Sequence, residues 1–194
     1  MIWFKFIKEE RNLSVKSITV DFEKAAINSI KKLFPRVSVF GCFFHFGQCL
    51  WSKIHATGLQ TWYTEGENAF IIKQLQALAF VPPNDVTTLF EQLLHSLSAQ
   101  TDEILEEFLT YFECTWVGIM QRGRPRRPLY DISLQSCYNR VLNDLPKTNN
   151  TLEEWHRAFS RRVNFHHPNL SKLIEKLGVE QSHRNGNRTG HIRS

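Results

Sequence analysis

The sequence predicts an α/β fold in which a strand–helix–strand–helix unit gives way to a long, purely helical block. Three observations carry this expectation. Two short β-rich stretches, 15–20 and 37–40, are each followed by a run with apolar residues at helical spacing. Helical patterns at 67–80, 84–97 and 101–113 then succeed one another with no strand candidate between them. Two more, at 150–163 and 169–181, close the chain.

Taken in order, residues 1–10 place Trp3, Phe6 and Ile7 on one helical face. The stretch Val-Lys-Ser-Ile-Thr-Val at 15–20 is rich in β-branched residues and ends at Asp21. Over 21–33, Phe22, Ala25, Ala26, Ile30 and Leu33 fall at helical spacing, Asp21 is placed to cap the helix, and Pro35 stops it. Residues 37–40 give a second strand, and 43–56 a helix ending near Gly58. Pro82-Pro83-Asn84 supplies a helix stop and an Asn cap. The segment 121–128 reads as a basic, proline-containing loop, and from Ser182 the chain is polar and expected to be flexible. Two strands make no stable sheet by themselves. Further strands are therefore expected upstream of Met1 or from another chain.

A hydrophobic content of 42%, with 15 Phe and 5 Trp, suits a packed core rather than a disordered chain. No apolar run reaches the roughly 18 residues a membrane span requires; the most apolar stretch, 37–50, is broken by Gly41, His45, Gly47 and Gln48. A soluble, intracellular protein with no membrane partner is the expectation. The 4 cysteines lack the spacing of a disulfide framework, and Cys114 and Cys137 are read as buried reduced thiols. The net charge of +5 is clustered at 122–127, at Arg157, Arg161 and Arg162, and in the tail at Arg184, Arg188 and Arg193. Clustered arginine favours a polyanion, because each arginine set on a phosphate releases a counterion. Basic surfaces also occur on proteins that bind no nucleic acid.

Four local constellations can carry chemistry. Asp21, at the carboxyl end of a strand, lies where open α/β sheets hold ligands and can offer a hard oxygen to Mg²⁺; locally, the helix cap is the favoured role. Cys42 and His45, three apart, fit half of a zinc site, and two residues lining a packed helix start are the plainer alternative. Glu153, His156, Arg157 and Ser160 share a stripe beside the apolar face of Leu152, Trp155 and Phe159. That stripe suits a metal site beside a phosphate backbone, or an ordinary solvated face. The run Arg122-Gly123-Arg124-Pro125-Arg126-Arg127 resembles the core of a minor-groove hook, against which stands a general phosphate-contacting or solvated loop.

The order of these blocks is more specific than any one of them. Thr19-Val20-Asp21-Phe22-Glu23-Lys24-Ala25-Ala26, then Phe34-Pro35, then Gly41-Cys42-Phe43-Phe44-His45-Phe46 resemble the second-aspartate block of the mutator-like element (MULE) transposases. Leu78-Ala79-Phe80-Val81-Pro82 resembles a stretch of that family's helical insertion. Thr148-Asn149-Asn150-Thr151-Leu152-Glu153-Glu154-Trp155-His156, followed by His167-Pro168-Asn169-Leu170, resembles the block of the final glutamate. The resemblance covers roughly residues 1–181 and keeps its order throughout.

What the resemblance implies is an RNase H-like fold with a large all-helical insertion, in a cut-and-paste DNA transposase using three carboxylates and Mg²⁺ or Mn²⁺. On it, 1–58 form a partial α/β core lacking its first strands and 59–145 the insertion. The closing helices of the core fall at 146–181 and a basic tail at 182–194. Asp21 matches the second aspartate and Glu153 the final glutamate, while Cys42 and His45 match the family's Cys-x-x-His motif, with zinc a further metal to consider. DNA is the implied partner, contacted by Arg122, Arg124, Arg126, Arg127, His156, Arg157 and Arg161; a homo-oligomer and a nuclear location are also implied. The family's first aspartate has no counterpart, since only Glu9 and Glu10 precede Asp21 as acids. The expectation is therefore a fragment that does not itself cut DNA. Two alternatives are a non-catalytic DNA-binding protein of transposase descent and an unrelated helical interaction module.

Overall fold

Ser17–Val20 (β1) and Ser38–Gly41 (β2) pair in parallel, in register from Ser17 opposite Ser38 to Val20 opposite Gly41. The computed structural model describes residues 15–64, 68–121 and 124–148 of the chain. The crossover between the strands is helix α1 (Lys24–Leu33), amphipathic as its sequence predicts. Its Ile27 and Ile30 are buried with Val20, Phe34 and Leu134, while Lys31 and Lys32 sit in the last turn, where the helix dipole favours cations. The start of α1 corrects the sequence reading. The cap position is Glu23, in extended backbone and without a side-chain cap bond, so Asp21 lies two residues before the cap position rather than at it.

Helix α2 (Phe43–Ala56) follows β2 directly, and its Phe46, Leu50 and Ile54 recur at i, i+4 and i+8 on the buried face. Then come α3 (Gln60–Thr64), α4 (Asn68–Ala77) with a 3₁₀ turn at Leu78–Phe80, α5 (Val86–Ser96) and α6 (Ala99–Phe112). Between α4 and α5 the prolines break the chain as expected, but the cap position is Asp85 rather than Asn84 and makes no side-chain bond. Ser98 does cap α6, its hydroxyl accepting the Thr101 N–H at 3.1 Å. These helices bury one apolar cluster that includes Phe46, Leu75, Phe90, Leu105, Phe108, Phe112 and Trp116. Fully burying a side chain of this kind is worth about 1.5–3 kcal/mol.

The helical block is not purely helical. After α6 a π-helical turn (Glu113–Val117) leads into an antiparallel hairpin of β3 (Ile119–Gln121) and β4 (Arg124–Arg126). The segment expected as a loop thus forms half of a hairpin. Its β4 residues are all exposed, so no apolar alternation was there to announce a strand. Gly118, at φ 101°, makes the turn into β3, and a Cβ there would meet the Arg126 carbonyl oxygen at 2.8 Å. Short helices α7 (Ile132–Gln135) and α8 (Tyr138–Leu142) follow. Phe22 and Tyr130 pack against both apolar clusters and join them. Cys137 is buried as expected, whereas Cys114 is exposed, contrary to expectation. Among the described residues no helix is long and apolar enough to cross a membrane.

Candidate functional site

Asp21 follows β1 immediately, at the carboxyl end of the parallel pair, where α/β sheets gather ligand-binding groups. The strand ends are tied together there, Cys42 N–H donating to the Val20 carbonyl at 2.8 Å. Gly41 closes β2 because the Phe22 ring occupies the space a Cβ would need, 2.3 Å from its ring carbon. The Asp21 carboxylate faces the first turn of α2, with its Oδ1 2.9 Å from His45 Nδ1. Asp21 is the more open partner at 55% exposure, against 24% for His45. The imidazole is therefore set to orient the carboxylate while leaving it accessible.

The pair lies at the edge of an open groove of about 700 Å³ that Glu23, Gln48, Cys49, Lys53 and Tyr111 also line. Lys53 Nζ lies 2.6 Å from Glu107 Oε1 and 5.6 Å from the centre of the Tyr111 ring. Burial pushes Tyr111 up to about 12 and raises the Cys49 thiol above its ordinary value, so both stay protonated at neutral pH. Neither is a base or a nucleophile there. The groove's other ionisable side chains are Asp21, Glu23, His45 and Lys53.

Cys42 and His45, three apart in sequence, have different surroundings. Cys42 is fully buried, while His45 lines the groove. Among the described residues no three His, Cys, Asp or Glu side chains gather as a metal cage. Arg124 and Arg126 belong to β4, with Pro125 in register with Met120, and Arg127 follows; all three arginines are exposed. A proline is tolerated on such an edge strand, so the segment is a hairpin arm rather than a free hook. Arg122, Glu153, His156, Arg157 and Arg161 lie outside the described residues.

Two supporting residues escaped the sequence reading. Arg140 is buried, donating from Nη1 to the Gly41 carbonyl at 2.8 Å and from Nε to the Pro146 carbonyl at 2.9 Å. Its cation also lies 5.3 Å from the centre of the Phe40 ring. The Phe43 N–H, at the start of α2, is taken by the Lys147 carbonyl at 3.0 Å. These contacts bring the chain at 146–147, six residues before Glu153, to the carboxyl end of β2. Tyr130 donates its hydroxyl to the Phe22 carbonyl and fixes the turn after Asp21. A lone arginine and a lone tyrosine in polar surroundings carry no signal of such roles. Comparison of the chain with protein-family models, curated proteins and solved structures finds no match.

Proposed function

We propose that the chain is part of the catalytic domain of a MULE-like cut-and-paste DNA transposase, with Asp21 and Glu153 as two of its three metal-binding carboxylates. The observation that supports this most is the position of Asp21. It stands at the carboxyl end of a parallel strand and borders an open groove beside His45.

The described residues fit half of a divalent-metal site. An accessible carboxylate suits Mg²⁺ or Mn²⁺, both of which prefer oxygen ligands, and Glu153 would supply the second. When bound, such ions activate an oxygen nucleophile for in-line attack on a phosphodiester and stabilise the leaving oxygen. The chain's own part is to orient: His45 holds the Asp21 carboxylate, and Arg140 and the Lys147 carbonyl hold the backbone at 146–147 against the end of β2 and the start of α2. Exposed Arg124, Arg126 and Arg127 of the hairpin, with Arg122, His156, Arg157 and Arg161, would contact the DNA backbone. Zinc has no part in this reading, since Cys42 is sealed in the core. A nuclear protein acting on DNA, with self-association as in an assembled transposase, completes the proposal.

A second reading, DNA binding without catalysis, is favoured by one observation: the exposed arginines of the hairpin do not depend on the carboxylates. The two readings separate on metal binding and cleavage. With terminal-repeat DNA and Mg²⁺ or Mn²⁺, these 194 residues should bind Mn²⁺ but cut no strand. Asp21→Asn should weaken Mn²⁺ binding by about tenfold or more, as loss of a ligand does at least as much as loss of its support. Addition of a segment carrying the third carboxylate, the counterpart of the family's first aspartate, should produce cleavage. Unchanged Mn²⁺ affinity in Asp21→Asn would leave only the binding reading standing.

A further inference from the structure

A second cavity, of about 300 Å³, lies between the first turn of α1 and the return limb of the hairpin. Lys24, Arg126 and Arg127 line it together with Cys114 and Gly118, and among the described residues that line it there is no carboxylate. Three cations from segments a hundred residues apart thus share one hollow. Like charges so placed repel, and an anion between them turns the repulsion into attraction.

The fold holds this arrangement firmly. Leu129 N–H donates to the Cys114 carbonyl and Tyr130 N–H to the Thr115 carbonyl, both at 3.0 Å, pinning the return limb to the π-helical turn. The Tyr130 ring stacks 5.1 Å from Trp116 and meets Phe22 edge-on at 5.2 Å, and its hydroxyl is bonded to the Phe22 carbonyl. The limb that carries Arg126 and Arg127 is therefore fixed to the turn that leads into Lys24. Asp131, which feels the charges of Lys31 and Arg127, accepts bonds from both Ser133 N–H and Ser133 Oγ at the cap of α7. A water occupies about 30 Å³ of liquid, so the cavity equals about ten waters, enough for a phosphate group and its hydration. Guanidinium forks match phosphate oxygens, and a lysine adds a point charge.

We propose that Lys24, Arg126 and Arg127 form a pocket that seats an internal phosphate of a DNA strand, three residues along the chain from Asp21. The pocket is a discrete subsite, fixed on one side by the α/β unit, rather than a general contact of a basic segment. It rests on the transposase reading in one respect, that the polyanion is DNA. A phosphate held here would set the register of the strand relative to the Asp21 groove, because Lys24 and Asp21 belong to one turn.

The test uses the full chain and a fluorescent DNA duplex without terminal phosphates, with binding measured by anisotropy across a salt series and no divalent metal. Lys24→Gln should weaken binding about eightfold at 0.1 M salt and lower the log–log salt slope by about 0.9, the signature of one lost phosphate contact. Arg36→Gln, an equal charge change at an exposed position before β2, should leave the slope unaltered. If Lys24→Gln behaves like Arg36→Gln, the pocket is not a DNA subsite. Binding that requires a 5′-phosphate, or competition by inorganic phosphate at matched ionic strength, would overturn the assignment to an internal phosphate. Absence of DNA binding by the unaltered chain would sink both this inference and the function it rests on. Intact binding with an unchanged Lys24→Gln slope sinks this inference alone.

Discussion

Arg140 places a guanidinium in the core, where burial lowers its pKa and carbonyl oxygens replace water. Taking a cation out of water is costly, and the arrangement holds because the donors meet the Gly41 and Pro146 carbonyls in a fixed fork. Removing the fork strands both acceptors, and a buried unsatisfied acceptor costs about 1–3 kcal/mol. Arg140→Met should therefore lower stability by about 3 kcal/mol in urea unfolding, and Arg140→Lys should restore only part of it. A neutral or stabilising Arg140→Met would show instead that desolvation outweighs the bonds. Nothing around Arg140 in the sequence announces this role, because its partner Gly41 is 99 residues away. Asp21 was legible as a residue of interest from its place after a β-rich run. That Glu23 rather than Asp21 takes the cap position was not, since it depends on where the backbone first turns helical.

At the scale of elements, amphipathic period carried the reading well where a helix has one buried face. The bounds of α2 came out at the predicted residues, and β1, β2, α5 and α6 within two or three, because each has apolar residues at fixed spacing. The hairpin was missed because β4 buries nothing, and a strand without a buried face leaves no period to read. What decides it is the turn at Gly118, whose positive φ and closeness to the Arg126 carbonyl admit no side chain. Gly118→Ala should cost about 1–3 kcal/mol, the range for a strained backbone position. It should also weaken DNA binding to about the extent of Lys24→Gln, by displacing Arg126 and Arg127. Normal stability and DNA affinity in Gly118→Ala would mean that the hairpin does not depend on this turn.

For the molecule as a whole, the parallel pair of strands is kept by what packs around it. Two strands are too few to persist alone. Here α1 covers them, Leu134 joins their apolar cluster, and Phe22 and Tyr130 couple that cluster to the helical body. The same packing brings the backbone at Lys147 to the start of α2. The proposal that Asp21 and Glu153 share a metal can be tested on the whole chain by metal-directed cleavage. Fe²⁺ substituted for Mg²⁺, with ascorbate and peroxide, should cut the polypeptide near both residues 21 and 153. Cuts confined to the neighbourhood of residue 21 would separate the two carboxylates and remove the shared metal site.

The amino-acid sequence by itself determined the strand–helix–strand–helix order, the extents of the longer helices and the place of Asp21 at a strand end. These follow from spacing and from local backbone preference, which a short window contains. Tertiary structure alone decided that Asp21 meets His45, that Cys42 faces the core while His45 faces the groove, and that Arg140 holds the chain at 146 against β2. It also brought Lys24 and the hairpin arginines around one cavity. Each of these depends on contacts between distant segments, set by how the apolar faces close on one another rather than by any local pattern of residues.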